Sequence, residues 1–356
     1  MKPVSDKIPI PSLMTRFIGA LIDFGLVVFL SVFGSAITFK IAQNTPGKLN
    51  DSLMLENLNV SSTHLVSEYK SGQFLSYTSD QYFEKTETGS RIVDALSYYY
   101  TIYLAGDTEK CSVGDIVAEN ANEEVVIDGQ TVTPKNYYTI EWFNVNVLGL
   151  SSGEKPAKYD YFVYQKDADN NPDYTKVGTV NPKYIEDDVV QAPEEMVNYV
   201  YDEYKKAASS FYEQDYIVKL VNYIDGVNNL ITFLVRLFFV IVIFEVLPLS
   251  LKRGKTLGKL LMRLSLVKPN GEPIQRWQVI PRGAIILLIP VFLYLVTNLI
   301  AQIAVVSAIF IADMIIILVN KNGRMVIHDF IAQTVVMEDP EKKKKEKVVI
   351  ENEVEQ

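Results

Sequence analysis

Apolar residues fall into three long runs, near 17–41, 230–249 and 284–319, and the stretch between the first two is polar. A membrane-spanning helix needs about 20 apolar residues. Soluble domains seldom hold several such runs, so the pattern predicts a multi-pass membrane protein. The first run predicts a helix over 16–41, after an irregular lead-in, 1–15, that carries Pro3, Pro9 and Pro11. The second predicts a helix over 228–250. The third, 36 residues over 284–319, is too long for one crossing. Thr297, Asn298 and Gln302 stand at its middle and predict a helical hairpin over 283–319. The expected fold is an α-helical membrane protein with about four transmembrane helices. A large α+β extracytoplasmic insertion, 42–227, would lie between helices one and two.

Within the insertion, 90–104 reads as helix. A second helix should start at Pro193, because proline suits a first helical turn and Glu194 and Glu195 complement the dipole there. Segments 159–164 and 174–180 read as a strand pair around a polar turn. Of 21 tyrosines, 20 lie in this insertion and the other is Tyr294. Tyrosine has an apolar body and a polar tip. It therefore serves packing on sheets and helix faces, or a ligand-facing surface.

Charge adds the topology. Residues 42–229 hold 30 acids and 14 bases, and the rest of the chain holds 13 acids and 20 bases. Basic segments stay in the cytoplasm, whereas long acidic domains can be translocated. The lead-in, a basic loop over 251–282 with eight Lys/Arg, and a tail over 320–356 are therefore expected inside. Both termini would be cytoplasmic and the acidic insertion outside. An acidic exterior argues against nucleic acid as a partner. The single cysteine, Cys111, excludes an internal disulfide, so the insertion needs an ordinary core, which fits a bacterial cell membrane. Gly34-Ser35-Ala36 offers a peptidase small residues. Yet the run continues to Ile41 and contains Asp23, which favours a retained anchor over a signal peptide. The tail from Lys342 mixes bases and acids and reads as a solvated end.

Three short segments carry further information. They are Arg16-Phe-Ile-Gly-Ala-Leu-Ile-Asp23, then Gly254-Lys-Thr-Leu-Gly-Lys259 leading to Pro269-Asn270-Gly271, and finally Arg324-Met-Val-Ile-His328-Asp329 through Val336. In this order and spacing they resemble the RDD family of bacterial membrane proteins, named for one arginine and two aspartates. Arg16 and Asp23 match the first two, and Asp329 is the choice for the third, with Asp313 the alternative. Gly254, Thr256, Gly258, Lys259 and His328 complete the motif residues. The resemblance covers the helices and cytoplasmic parts, about 40% of the chain. The long first loop departs from it, as does Gln333, where relatives usually have glycine. It implies transport as the activity class, with cation/proton antiport attributed to some members.

Other signals are weaker. Gly254-Lys255-Thr256 ends like a phosphate-binding loop, but Leu249 stands where that motif needs another glycine. Asp167, Asp169, Asn171 and Asp173 alternate like a calcium loop. Pro172 and Gly178, however, occupy the positions that need glycine and glutamate. A polar hairpin turn is the plainer reading. His64 reads as an isolated surface residue, and the two histidines do not make a zinc set. No cofactor and no enzyme activity are expected.

Depth completes the picture. At 1.5 Å per residue, Asp23, Glu245 and Asp313 each lie roughly 7–10 Å from the cytoplasmic side. Buried charges there are expensive and usually face one another, a cavity or a base. Asp23, Glu245 and Asp313 are therefore the candidates for binding a small cation or a proton. The other possibility is a membrane-anchored exterior binding or sensing module with an unknown ligand. Four short helices are few for a path, so a homo-oligomer within the lipid bilayer is also expected.

Overall fold

A computed structural model describes residues 8–70, 73–86, 89–152, 156–295 and 325–339, together with helical positions 304, 307–308, 311–312, 315–316 and 319. The chain forms two compact units, one of residues 46–225 and the other of 1–45 with 226–356. Helix α1 (Leu13–Asn44) opens the chain, with the Ser12 hydroxyl accepting the Thr15 N–H at 3.1 Å.

The 46–225 unit is mainly helical, with short antiparallel strand pairs. It begins with α2 (Lys48–Ser62), the pair β1 (Val66–Lys70) and β2 (Gln73–Ser76), and the turn α3 (Ser79–Tyr82). Helix α4 (Arg91–Tyr98) starts after Ser90 and continues as a π-helical turn, Tyr99–Leu104. The pair β3 (Val125–Ile127) and β4 (Gln130–Val132) follows, then α5 (Pro134–Tyr137) and α6 (Ile140–Asn146). Next come β5 (Phe162–Val163) paired with β6 (Thr179–Val180), and β7 (Ile185–Glu186) paired with β8 (Val189–Val190). The strand pairing read from 159–164 and 174–180 is thus present but two residues long. Helix α7 (Glu194–Tyr212) carries Glu194 and Glu195 in its first turn.

The core of this unit forms where α4, its π turn, α6 and α7 bring Ile92, Leu96, Tyr99, Tyr103, Phe143 and Met196 together. Buried tyrosine needs a partner for its hydroxyl. Tyr103 reaches Asn59 Oδ1 at 2.9 Å and Tyr216 at 2.6 Å, and Tyr99 meets Ser210 at 2.6 Å. Much of the tyrosine excess is therefore core.

The other unit is built on apolar helices. Helix α8 (Asp215–Ile241) runs through a π-helical turn, Val242–Val246, into α9 (Leu247–Ser250). Leu13–Asn44 and Asp215–Ser250 are both long and apolar enough to cross a membrane. Only 22% and 17% of their most apolar windows are buried within the chain, unlike core helices of a soluble protein. They pack closely. A Cβ at Gly34 would lie 2.8 Å from the Phe239 ring, and Val27, Val240, Ile243 and Phe244 form the contact with Ile286.

After α9 come the short α10 (Leu257–Leu261), β9 (Leu264–Val267) and α11 (Val279–Leu295), then α12 (Ile327–Ala332) and β10 (Val335–Glu338). β9 and β10 pair antiparallel with Val267 opposite Val335, over a small core that includes Ile8 and Met325. The hairpin turn expected at 297–302, and Asp313, lie outside the described residues.

Candidate functional site

Successive turns of α1 bury Gly19, Asp23, Val27 and Ser31, a spacing of four that sets them on one helix face. α10 docks against the start of this face. Arg253 and Gly254 take left-handed backbone (φ 62° and 61°), which turns the chain sharply after α9. Thr256 then caps α10, its hydroxyl oxygen accepting the Lys259 N–H at 3.4 Å. The same hydroxyl donates to Asp23 Oδ2 at 2.5 Å, and the Gly258 N–H donates to Oδ1 at 2.7 Å. Both oxygens of the buried carboxylate are thus engaged. Gly258 has to be glycine here, because a Cβ would run into the backbone carbonyl of Gly19. The motif glycines and threonine work as backbone geometry and a donor for Asp23.

A second carboxylate organises the level beside it. Asp329 is fully buried at the start of α12. It receives Arg16 from α1 at 3.5 Å, pairs with Arg282 of α11, and accepts the Thr334 hydroxyl at 3.4 Å. Arg282 also donates to Thr334 Oγ1 at 3.2 Å and lies 3.0 Å from His328 Nε2. With a guanidinium as its neighbour, that nitrogen must accept, which requires neutral imidazole. Burial, reinforced by Arg282, pushes His328 down to about 3 against the pull of Asp329. Burial would raise Asp329, but Arg282 and the other neighbouring bases outweigh it and hold the carboxyl below its usual value. Burial also drives the Lys259 amine down to about 7, helped by Arg282 and Arg16 and opposed by Asp23 and Asp329.

Sequence reasoning missed three members of this region. In the sequence Arg282 is only the last base of the loop over 251–282, Thr334 falls within the third motif segment without a role, and Asp339 lies past that segment. Asp339 pairs with Arg253 at 2.7 Å and with Lys255, and its N–H donates to the Arg263 carbonyl at 2.9 Å. Arg282 had a signal, an arginine at the head of an apolar run.

The three candidate carboxylates have different settings. Asp23 is held by α10. Glu245 sits in the π-helical turn after α8, where its carboxylate lies over Gly283 of α11, so close that a Cβ there would collide with it. Glu245 Oε2 is buried and has no hydrogen-bond partner among the described residues. Asp313 lies outside those residues.

The remaining candidates are in the 46–225 unit. Asp167 Oδ1 accepts the N–H groups of Asp169 and Asn171 at 2.9 and 2.8 Å, and Asp173 Oδ1 accepts Thr175 N–H at 3.0 Å. These oxygens shape the turn itself. Among the described residues no cluster of His, Cys, Asp and Glu is arranged to hold a metal. His64 is not the isolated surface residue expected. It bonds Asp115 at 2.7 Å and stacks on Tyr98, with ring centroids 3.6 Å apart.

Two helices are of lipid-crossing length, and a buried arginine–aspartate network ties the first of them to α11 and α12, features that suit a membrane domain. Residues 210–333 match the model of the RDD family, and this part of the chain is an RDD-family membrane domain. No curated protein and no solved structure matches the chain. Arg16 and Asp23 precede the matched stretch. The structure joins them to it, Arg16 through Asp329 and Asp23 through Thr256 and Gly258.

Proposed function

We propose that the membrane unit moves a small cation or a proton, and that Glu245 is the group that carries it. The observation behind this reading is a buried oxygen of Glu245, in a π-helical turn, that has no hydrogen-bond partner among the described residues. A buried carboxylate without a protein donor is costly to keep bare, so it carries a proton or meets a cation. π-helical turns within longer helices often mark functional positions. Asp23, by contrast, is a positioning residue, since α10 occupies both its oxygens. In this reading the protein lies in the bacterial cell membrane with both termini in the cytoplasm. The 46–225 unit is its extracytoplasmic α+β domain.

The test is Glu245→Gln in reconstituted vesicles. Normal membrane levels with at least a roughly tenfold loss of pH-dependent cation flux are expected, the scale of losing one essential ionisable group. Unchanged flux at normal levels contradicts the assignment.

A second reading has its own support. The 46–225 unit has a complete core, as a binding or sensing module anchored by the helices would require. The two readings part on a chain lacking 50–220, which keeps transport only if the membrane unit performs it.

A further inference from the structure

The short segments around the Arg16–Asp329 network turn apolar side chains outward. α10 presses Gly258 against α1, and the following Leu260 and Leu261 are 47% and 67% exposed. α12 buries Asp329 and Ala332 and leaves Phe330 57% exposed. The turn before α11 buries Gln278 and exposes Trp277 by 61%. Polar groups inside and large apolar groups outside reverse the arrangement of a water-facing helix.

Contacts already described place these segments at one level. Gly258 lies on Gly19, Asp329 bonds Arg16, and Arg282 joins α11 to α12. That level is the end of α1 where its apolar run begins, and there Phe17, Leu21 and Phe24 are themselves exposed. The outward apolar groups are therefore continuous with a surface that faces lipid. Beside them in the chain stand exposed basic residues, Arg263 after Leu261 and Arg276 before Trp277. Of the other bases nearby, Arg253 and Lys255 are matched by Asp339 and Lys268 by Glu272. Neither Arg263 nor Arg276 has a carboxylate partner among the described residues.

We infer that α10, the turn over 275–280 and α12 form a collar seated in the headgroup–acyl boundary of an anionic leaflet. Leu261, Trp277 and Phe330 enter the acyl edge, and Arg263 and Arg276 contact lipid phosphates. Amphipathic segments with aromatic and aliphatic residues on one side and arginine at the margin bind such interfaces. Segment 251–282 is then part of the membrane surface and not a free cytoplasmic loop.

The chain has two tryptophans, so Trp142→Phe leaves Trp277 as the only indole emitter. The full chain carrying this change is reconstituted into phosphatidylglycerol–phosphatidylcholine vesicles in which one lipid at a time is brominated near the top of its chains. A roughly twofold or greater loss of emission is expected, as for an indole at the interface. Brominated phosphatidylglycerol should quench more than brominated phosphatidylcholine, and Arg263→Gln with Arg276→Gln should remove that difference. If Trp142→Phe fails to fold, the emission lost between the native chain and Trp277→Phe gives the same reading. Emission untouched by bromine but open to aqueous acrylamide would overturn the collar. Equal quenching by the two lipids would overturn its anionic preference.

Discussion

Gln333 closes α12 with left-handed backbone, φ 51° and ψ 50°, while its N–H returns to the Phe330 carbonyl at 3.2 Å. A residue with a Cβ is strained in that region, and glycine is the usual choice for such a helix end. This explains why the family resemblance leads one to expect glycine there. Gln333→Gly should stabilise the protein by about 1 kcal/mol, the order of the left-handed penalty. Thermal unfolding in detergent checks it, with a midpoint a few degrees higher expected. An unchanged or lower midpoint would show that the Gln333 side chain compensates. At the same scale, Thr256 and Gly258 show why a motif was legible while its purpose was not. One supplies a hydroxyl and the other an absent Cβ, and neither names Asp23 as the partner.

At the scale of elements, short helices α10 and α12 clamp the ends of long ones through charge buried beneath apolar faces. The Arg16–Asp329 pairing was legible, because an arginine at a helix end and a His-Asp pair after the last apolar run both call for partners. The docking of α10 onto α1 was not. It depends on backbone approach and on a carboxylate binding a helix start, and hydropathy reads that stretch only as a basic loop. The length of 284–319 could be read, while its turn and Asp313 lie outside the described residues.

The clamp also sets a pH response. Lys259 falls from its usual 10.5 to about 7 in the folded protein. Between those values the unfolded chain holds the extra proton, so stability should rise with pH from about 7 to about 10. His328 acts in the same sense further down, losing stability as pH falls from 6.5 toward about 3. Lys259→Met should flatten the upper slope and leave the lower one. Melting of both proteins between about pH 7 and about pH 10 decides it, and equal slopes would remove Lys259 as the titrating group.

On the scale of the whole molecule, a polar unit of 180 residues (46–225) interrupts a membrane domain whose charged network draws on both sides of the interruption. Arg16 and Asp23 come before it, Thr256, Gly258, Arg282 and Asp329 after it. Hydropathy and charge mark off 42–227 as a polar stretch, and the compact unit spans 46–225. The interior of the unit was only partly visible, since its core rests on tyrosines whose partners are far away in sequence, such as Tyr103 with Asn59 and Tyr216. The division of labour proposed here gives transport to the membrane domain and leaves the polar unit dispensable for it. Purified full-length chain and a chain lacking 50–220 would each be sealed into vesicles, and cation entry followed with and without an imposed pH gradient. Gradient-dependent entry in both is the predicted result; entry no faster than in protein-free vesicles, from correctly folded protein, would contradict it.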